Sequence, residues 1–185
     1  SYSSTVIELF DAEGDVRELA EGESGIVILD STPFYAESGG QIGDTGVLKL
    51  PNGEFEVTDT VKMGEAFAHR GIAKTRIQLN DRVKAEIDTA RRDRIVKNHT
   101  ATHLIHSALR KVLGEHVTQK GSLVGPDKLR FDFSHFEAVT KDEIRTVEKM
   151  VNDAIRQNIA RETELMQIDE AKAKGAMALF GEKYD

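Results

Sequence analysis

Asn98-His99-Thr100-Ala101-Thr102-His103 carries two histidines four residues apart, and a third follows at His106. On a helix, side chains at this spacing lie one above the other, with Cβ atoms about 5–6 Å apart. His99 and His103 can therefore aim both imidazoles at one point, which is half of a tetrahedral zinc site. The same pair on a solvated helix face would bond to water or carbonyls, and spacing alone leaves both readings open. His106 is the nearest local candidate for a third ligand, but it falls a turn further on, where packing is the expected role.

Other chemistries fail on residue type. A zincin protease needs Glu directly after the first histidine, and Thr100 stands there. A serine hydrolase needs its nucleophile on a strained turn. No Gly-x-Ser-x-Gly occurs, and Ser38 in Glu37-Ser38-Gly39-Gly40 is a poor substitute. Cysteine is absent, which excludes a thiol nucleophile, disulfides and thiolate metal ligands from this chain. What remains is two imidazoles, the hydroxyls of Thr100, Thr102 and Ser122, and the amide of Gln119. That set suits hydrolysis of an ester by water beside a metal, and it equally suits ligand binding without chemistry.

Charge singles out the same stretch. The chain carries a net −7, which argues against indiscriminate nucleic-acid binding, yet residues 89–135 hold nine Lys/Arg against four acids. Arg91, Arg92, Arg94 and Lys97 stand just before the histidines. A solvated helix face is one account of such a run, and contact with an anionic substrate is the other.

The elements that must position these groups read in two parts. Residues 1–88 are β in character. Thr5–Phe10, Ser24–Leu29, Gly46–Leu50, Glu54–Asp59, Phe67–Ile72 and Arg82–Ile87 are short strand-like runs, and Pro51-Asn52-Gly53 is a turn expected to use positive φ. Regular short strands predict a small barrel. Ser31 to Gly46 is not a strand. Its glycines, Gly39, Gly40, Gly43 and Gly46, serve either close approach to a ligand or tight barrel corners, and composition favours the corners. From Thr89 a long helix runs to Leu113, with Gly114 as its cap. A hairpin of His116–Val124 and Leu129–His135 follows, turning at Gly125-Pro126-Asp127, with Phe131 and Phe133 on one face and Arg130, Asp132 and Ser134 on the other. Thr140 and Glu143 form a capping box for a second helix. Arg161–Ile168 reads as a strand, and Asp169 as the cap of a short alanine-rich helix ending near Gly175. The expected fold is α+β: a barrel over 1–88, then an α+β domain over 89–185 whose sheet packs against two long helices.

Five motifs stand in order: Thr32-Pro33-Phe34-Tyr35-Ala36-Glu37-Ser38-Gly39-Gly40-Gln41, the Asn98–His103 run, Gln119-Lys120-Gly121-Ser122, Arg130-Phe131-Asp132-Phe133-Ser134-His135, and Ala173 through Tyr184. Over nearly its whole length the chain resembles the editing region of bacterial alanyl-tRNA synthetases, a pattern shared by free-standing editing proteins of the AlaX type. The resemblance implies a translation-protein-like β-barrel, then the α+β editing fold found also in threonyl-tRNA synthetase. It implies zinc-dependent hydrolysis of tRNA(Ala) mischarged with serine or glycine, in a parent enzyme that joins alanine to tRNA(Ala) using ATP. It assigns one zinc ion to His99 and His103, completed by a later Cys-x-x-x-His. Gln119 matches a residue close to the substrate and Thr102 one involved in discrimination. The Ser38-Gly39-Gly40 loop is associated with tRNA, and Arg91, Arg92 and Ser122 join it as candidate tRNA or substrate contacts. The chain ends at Asp185 without cysteine, so the expectation is a monomeric piece of a longer, cytoplasmic synthetase that binds zinc weakly and deacylates poorly. The competing expectation is a tRNA-binding module without catalysis.

Overall fold

The computed structural model describes residues 2–157. The chain divides into two compact units, Ser1–Arg94 and the part from Ile95 onward. The expected strand at Arg161–Ile168, the helix capped by Asp169 and the Ala173–Tyr184 motif lie outside the described residues. Among those described, no helix is long and apolar enough to cross a membrane.

The first unit is built from β1 (Tyr2–Phe10), β2 (Asp15–Val16), β3 (Glu18–Leu19), β4 (Ser24–Leu29), β5 (Gly46–Leu50), β6 (Gly53–Met63), β7 (Ala66–Ala73), β8 (Ile77–Gln78) and β9 (Arg82–Ile87). Six of these close into an antiparallel barrel in the order β1-β4-β7-β6-β5-β9, with β9 pairing back onto β1. β2 pairs antiparallel with the end of β1, and β3 pairs with β8. Alternation drives the closure. In β9, Val83 and Ala85 point into the core while Arg82 and Lys84 are exposed. Val6, Leu9, Val27, Leu48, Phe55 and Val57 fill the interior with them, and closure leaves no open edge on those six strands. β6 runs four residues beyond the expected Glu54–Asp59, because a bulge between Val57 and Asp59 re-aims the strand and carries Thr60 inward. The Pro51-Asn52 turn forms between β5 and β6 as expected. Neither Asn52 nor Gly53 has positive φ, however; Pro51 fixes its own φ near −65° and sets an ordinary turn instead.

α1 (Thr89–Leu113) spans the division between the units. Asp88 caps it, its carboxylate accepting from Arg91 N at 3.0 Å. Its other end stops at Gly114, where φ is +125°. In the second unit β10 (Gln119–Val124) and β11 (Leu129–Phe133) form the hairpin, turning where Gly125 N donates to Lys128 O. α2 (Lys141–Arg156) starts in the expected capping box of Thr140 and Glu143. Ala108 and Leu109 of α1, Val147 of α2 and Val117 form the core, with Ile105, Phe131, Phe133 and Val151 packed against it. The two aromatic residues of β11 thus meet both helices, while Arg130 and Asp132 bond to each other on the opposite face.

Candidate functional site

α1 brings His99 and His103 together, with ring centroids 4.9 Å apart and planes tilted by 31°. His99 is half-buried and His103 exposed, so the pair is neither sealed in apolar surroundings nor splayed apart. His106, by contrast, is buried with its ring 5.1 Å from Phe131. It packs against the hairpin there. Thr102 is buried too, and its hydroxyl donates to Asn98 O at 2.9 Å. Asn98 in turn donates its amide to Gly125 O at 2.8 Å, fastening the start of the histidine run to the hairpin turn. At the far end of α1, Arg110 donates to Val117 O at 3.1 Å. Helix and β10 are therefore tied at both ends.

Gln119 and Ser122 stand three residues apart on β10, a spacing that would put them on opposite faces of a regular strand. The structure puts them on one face. Gln119 pairs with Phe133 and Ser122 with Phe131, and Lys120 is the extra residue of a bulge between them. Cross-strand partners share a face, so both side chains project on the side of Phe131 and Phe133, which is the side α1 covers. The Gln119 amide donates to Ser122 Oγ at 3.2 Å. With its Nε2 held this way, its Oε1 is left to accept a hydrogen bond.

In the barrel unit the glycine-rich segment is a built loop. Ser38 and Gln41 pair across a two-residue turn, with φ of +56° at Gly39 and +82° at Gly40. Both central residues are left-handed, which glycine adopts without strain. Tyr35 Oη donates to Ser38 O, and Gly43 lies so close to Thr60 that a Cβ there would sit 2.0 Å from the Thr60 carbonyl oxygen. The root of the loop is Asp44, a buried carboxylate that accepts from Tyr35 N at 2.8 Å and from both Nε and Nη2 of Arg92. Arg92 also donates to Pro33 O, and Arg91 to Gly43 O at 2.9 Å. The guanidinium groups that the sequence offered as tRNA contacts are thus engaged in holding the loop.

Sequence reasoning passed over His69. It is fully buried, bonded through Nδ1 to Val27 O at 2.8 Å and through Nε2 to Thr32 Oγ1 at 2.7 Å. A carbonyl can only accept, so Nδ1 carries the proton and Nε2 accepts from the threonine hydroxyl. Burial holds its pKa below 6.5, opposed in part by the Val27 carbonyl. The start of the Thr32-Pro33-Phe34 motif is anchored in the barrel wall this way, and a lone histidine within the strand Ala66–Ala73 gives no sequence signal of it.

A borderline metal ion such as zinc suits imidazole donors, and His99 and His103 fit as two of its ligands. Among the described residues no group of three or more His, Asp or Glu side chains comes together to complete a set.

Comparison with known proteins first gives a class. Residues 1–91 match the family described as class II (A) tRNA synthetases. The particular relatives follow. The chain is 70% identical to an alanine–tRNA ligase of Colwellia psychrerythraea over 187 residues, which covers all of this chain and 21% of that protein. It is 66% identical to the alanine–tRNA ligase of Pseudoalteromonas translucida, again over 100% of this chain and 21% of the relative. For that of Idiomarina loihiensis the identity is 61%, over 97% of this chain and 21% of the relative. The likeness to bacterial alanine–tRNA ligases thus extends over the whole chain, which spans about a fifth of their length.

Proposed function

We propose that this chain is the editing portion of an alanine–tRNA ligase, hydrolysing the ester that joins serine or glycine to tRNA(Ala). The observation that carries the reading is the convergence of His99 and His103, together with the Gln119–Ser122 pair on the hairpin face beneath the same helix. Zinc, when bound, would polarise the ester carbonyl or an attacking water; His99 and His103 would supply two of its ligands, and the resemblance draws the others from a Cys-x-x-x-His beyond this chain. Gln119 orients the substrate. Its Oε1 accepts from the seryl hydroxyl, a group alanine lacks. A site built to bond a hydroxyl rejects the analogue without one, because its own polar group is then left unpaired. Thr102, whose hydroxyl is turned onto the Asn98 carbonyl, acts through the bulk and shape of the helix wall rather than by donating to substrate. The tip Ser38-Gly39-Gly40, held by Arg91 and Arg92, is the tRNA contact of the barrel unit.

The test is deacylation of seryl-tRNA(Ala) by the chain and by a longer version that includes the following residues. His99→Ala with His103→Ala should abolish the zinc-dependent rate, and an undiminished rate would refute the role of the pair. A second reading, a tRNA-binding module without catalysis, is favoured by the two-ligand count among the described residues. Tight tRNA binding without turnover in the longer version would establish it.

A further inference from the structure

At the open end of the hairpin His116, His135 and Phe136 form a ring cluster that the hydrolytic site does not use. His116 Nε2 and His135 Nδ1 are 2.7 Å apart, with planes within 18° and centroids 5.0 Å apart. Centroids so far apart with nitrogens so close mean that the imidazoles meet edge to edge, as a flat hydrogen-bonded dyad. The two nitrogens face each other head on. That shares a proton well, whereas a metal needs lone pairs that converge from an angle. Phe136 lies against both rings, with centroids 4.8 Å from His116 and 4.7 Å from His135. Below the dyad, Ser134 N donates to Thr118 O at 3.0 Å and the two hydroxyls bond at 2.8 Å, fixing the chain on both sides.

Phe136 is nonetheless 78% exposed, well above the 53% of Ile155, the next among the exposed large apolar side chains. Its neighbours in the chain are His135 and Glu137, and its ring contacts are the two imidazoles of the dyad. A protein partner would want a contiguous apolar patch, whereas the ring contacts of Phe136 among the described residues are the two imidazoles. A planar ligand with polar edges fits better. The nearby cations are Arg110, held on Glu115 O and Val117 O, with Lys111 in the same last turn of α1 and Lys120 exposed on β10. Over residues 110–137 Lys and Arg number five against four acids.

We propose that Phe136, seated on the His116–His135 dyad, is a stacking platform for an unpaired nucleobase of the bound tRNA. The ring leans on the two imidazoles at 38° and 41°, and its exposed face is offered to a base. The proposal rests on the tRNA-binding part of the function above, not on hydrolysis. Base–aromatic stacks are sequence-tolerant and each contributes about five- to 150-fold in affinity.

The experiment titrates the 185-residue protein into a fluorescent tRNA(Ala) transcript. Phe136→Ala should weaken binding about tenfold, Phe136→Leu should do the same, and Phe136→Trp should bind at least as well as the parent. The exposed position predicts an unchanged melting curve for all three. Ala or Leu variants that bind like the parent would overturn the proposal, as would a parent protein with no measurable tRNA affinity. A Leu variant that binds like the parent while Ala does not would point to an apolar protein-like contact and overturn it equally. Deacylation of seryl-tRNA(Ala) is read in parallel on the longer version. Loss of the platform with turnover intact, or the reverse, separates failure of this inference from failure of the editing reading.

Discussion

Replacing Arg92 with glutamine separates two readings of its charge. If the guanidinium holds the glycine loop, Arg92→Gln destabilises the barrel; if it serves only to contact RNA, folding is indifferent. Asp44 is 2% exposed, and Arg92 supplies two of the donors around it. Removing one partner of a fully buried ion pair costs about 3–5 kcal/mol, because the other charge is left without compensation. Here the Arg92 side chain is 35% exposed, so water can reach one side of the pair. Asp44 also keeps the Tyr35 N–H. The expected loss is therefore about 2–3 kcal/mol. With an m-value of about 2 kcal/mol per molar urea, the midpoint of the barrel transition should fall by about 1 M. Tyr2 and Tyr35 both lie in the barrel unit, and their fluorescence follows it. Arg92→Lys should be nearly as damaging, since an ammonium cannot reproduce the two-pronged contact. Pairing Arg92→Gln with Asp44→Asn should cost at least about 1 kcal/mol less than the sum of the single changes. A midpoint for Arg92→Gln within about 0.2 M of the parent, with tRNA affinity reduced, would refute the latch and restore Arg92 as a direct contact.

Four further changes test other joints of the structure. His69 is buried neutral with its pKa held below 6.5, so between its folded and unfolded values the unfolded chain binds the extra proton. Its contribution is complete above pH 6.5 and is lost as pH falls, by up to about 1.4 kcal/mol per pH unit; urea midpoints at pH 7.5 and 5.5 should show this slope reduced in His69→Gln. Gly43→Ala drives a Cβ into the Thr60 backbone, which cannot rotate away; a loss of about 2–3 kcal/mol is expected. Gly39→Ala meets open space and only the left-handed backbone penalty of about 1 kcal/mol, so thermal melts should rank Gly43→Ala well below it. Ser122→Ala releases the Gln119 amide and should lower kcat/KM for seryl-tRNA(Ala) about tenfold in the longer version, the value of one neutral hydrogen bond; an unchanged kcat/KM would mean Gln119 needs no such support.

Where side-chain periodicity is long enough to repeat, the sequence is legible. β4, β5, β9 and α1 begin and end where alternation or helical spacing places them, and the Thr140–Glu143 box marks the start of α2. The two-residue strands β2, β3 and β8 are too short to carry a period. The glycine loop was ambiguous for a different reason: left-handed turns and close ligand approach demand the same residue. Only coordinates show that Gly39 and Gly40 make the turn while Gly43 makes room for Thr60. Arg91 and Arg92 were visible as charge, yet charge does not reveal whether its partner is a buried Asp44 or a phosphate.

Gln119 and Ser122 mark the deeper limit. Strand alternation, the rule that reads β10 correctly from Gly121 to Val124, puts these two on opposite faces. One inserted residue, Lys120, reverses that assignment for everything before it. A bulge has no reliable signature in a single sequence, since it is a choice of register made by the partner strand. Phe131 and Phe133 both face the helices, and the register of β10 against them shifts at Lys120. The orientation of the proposed substrate-binding amide is thus decided by the packing of two aromatic rings on the neighbouring strand. It follows that substitutions at Phe131 or Phe133 should disturb selectivity without touching substrate.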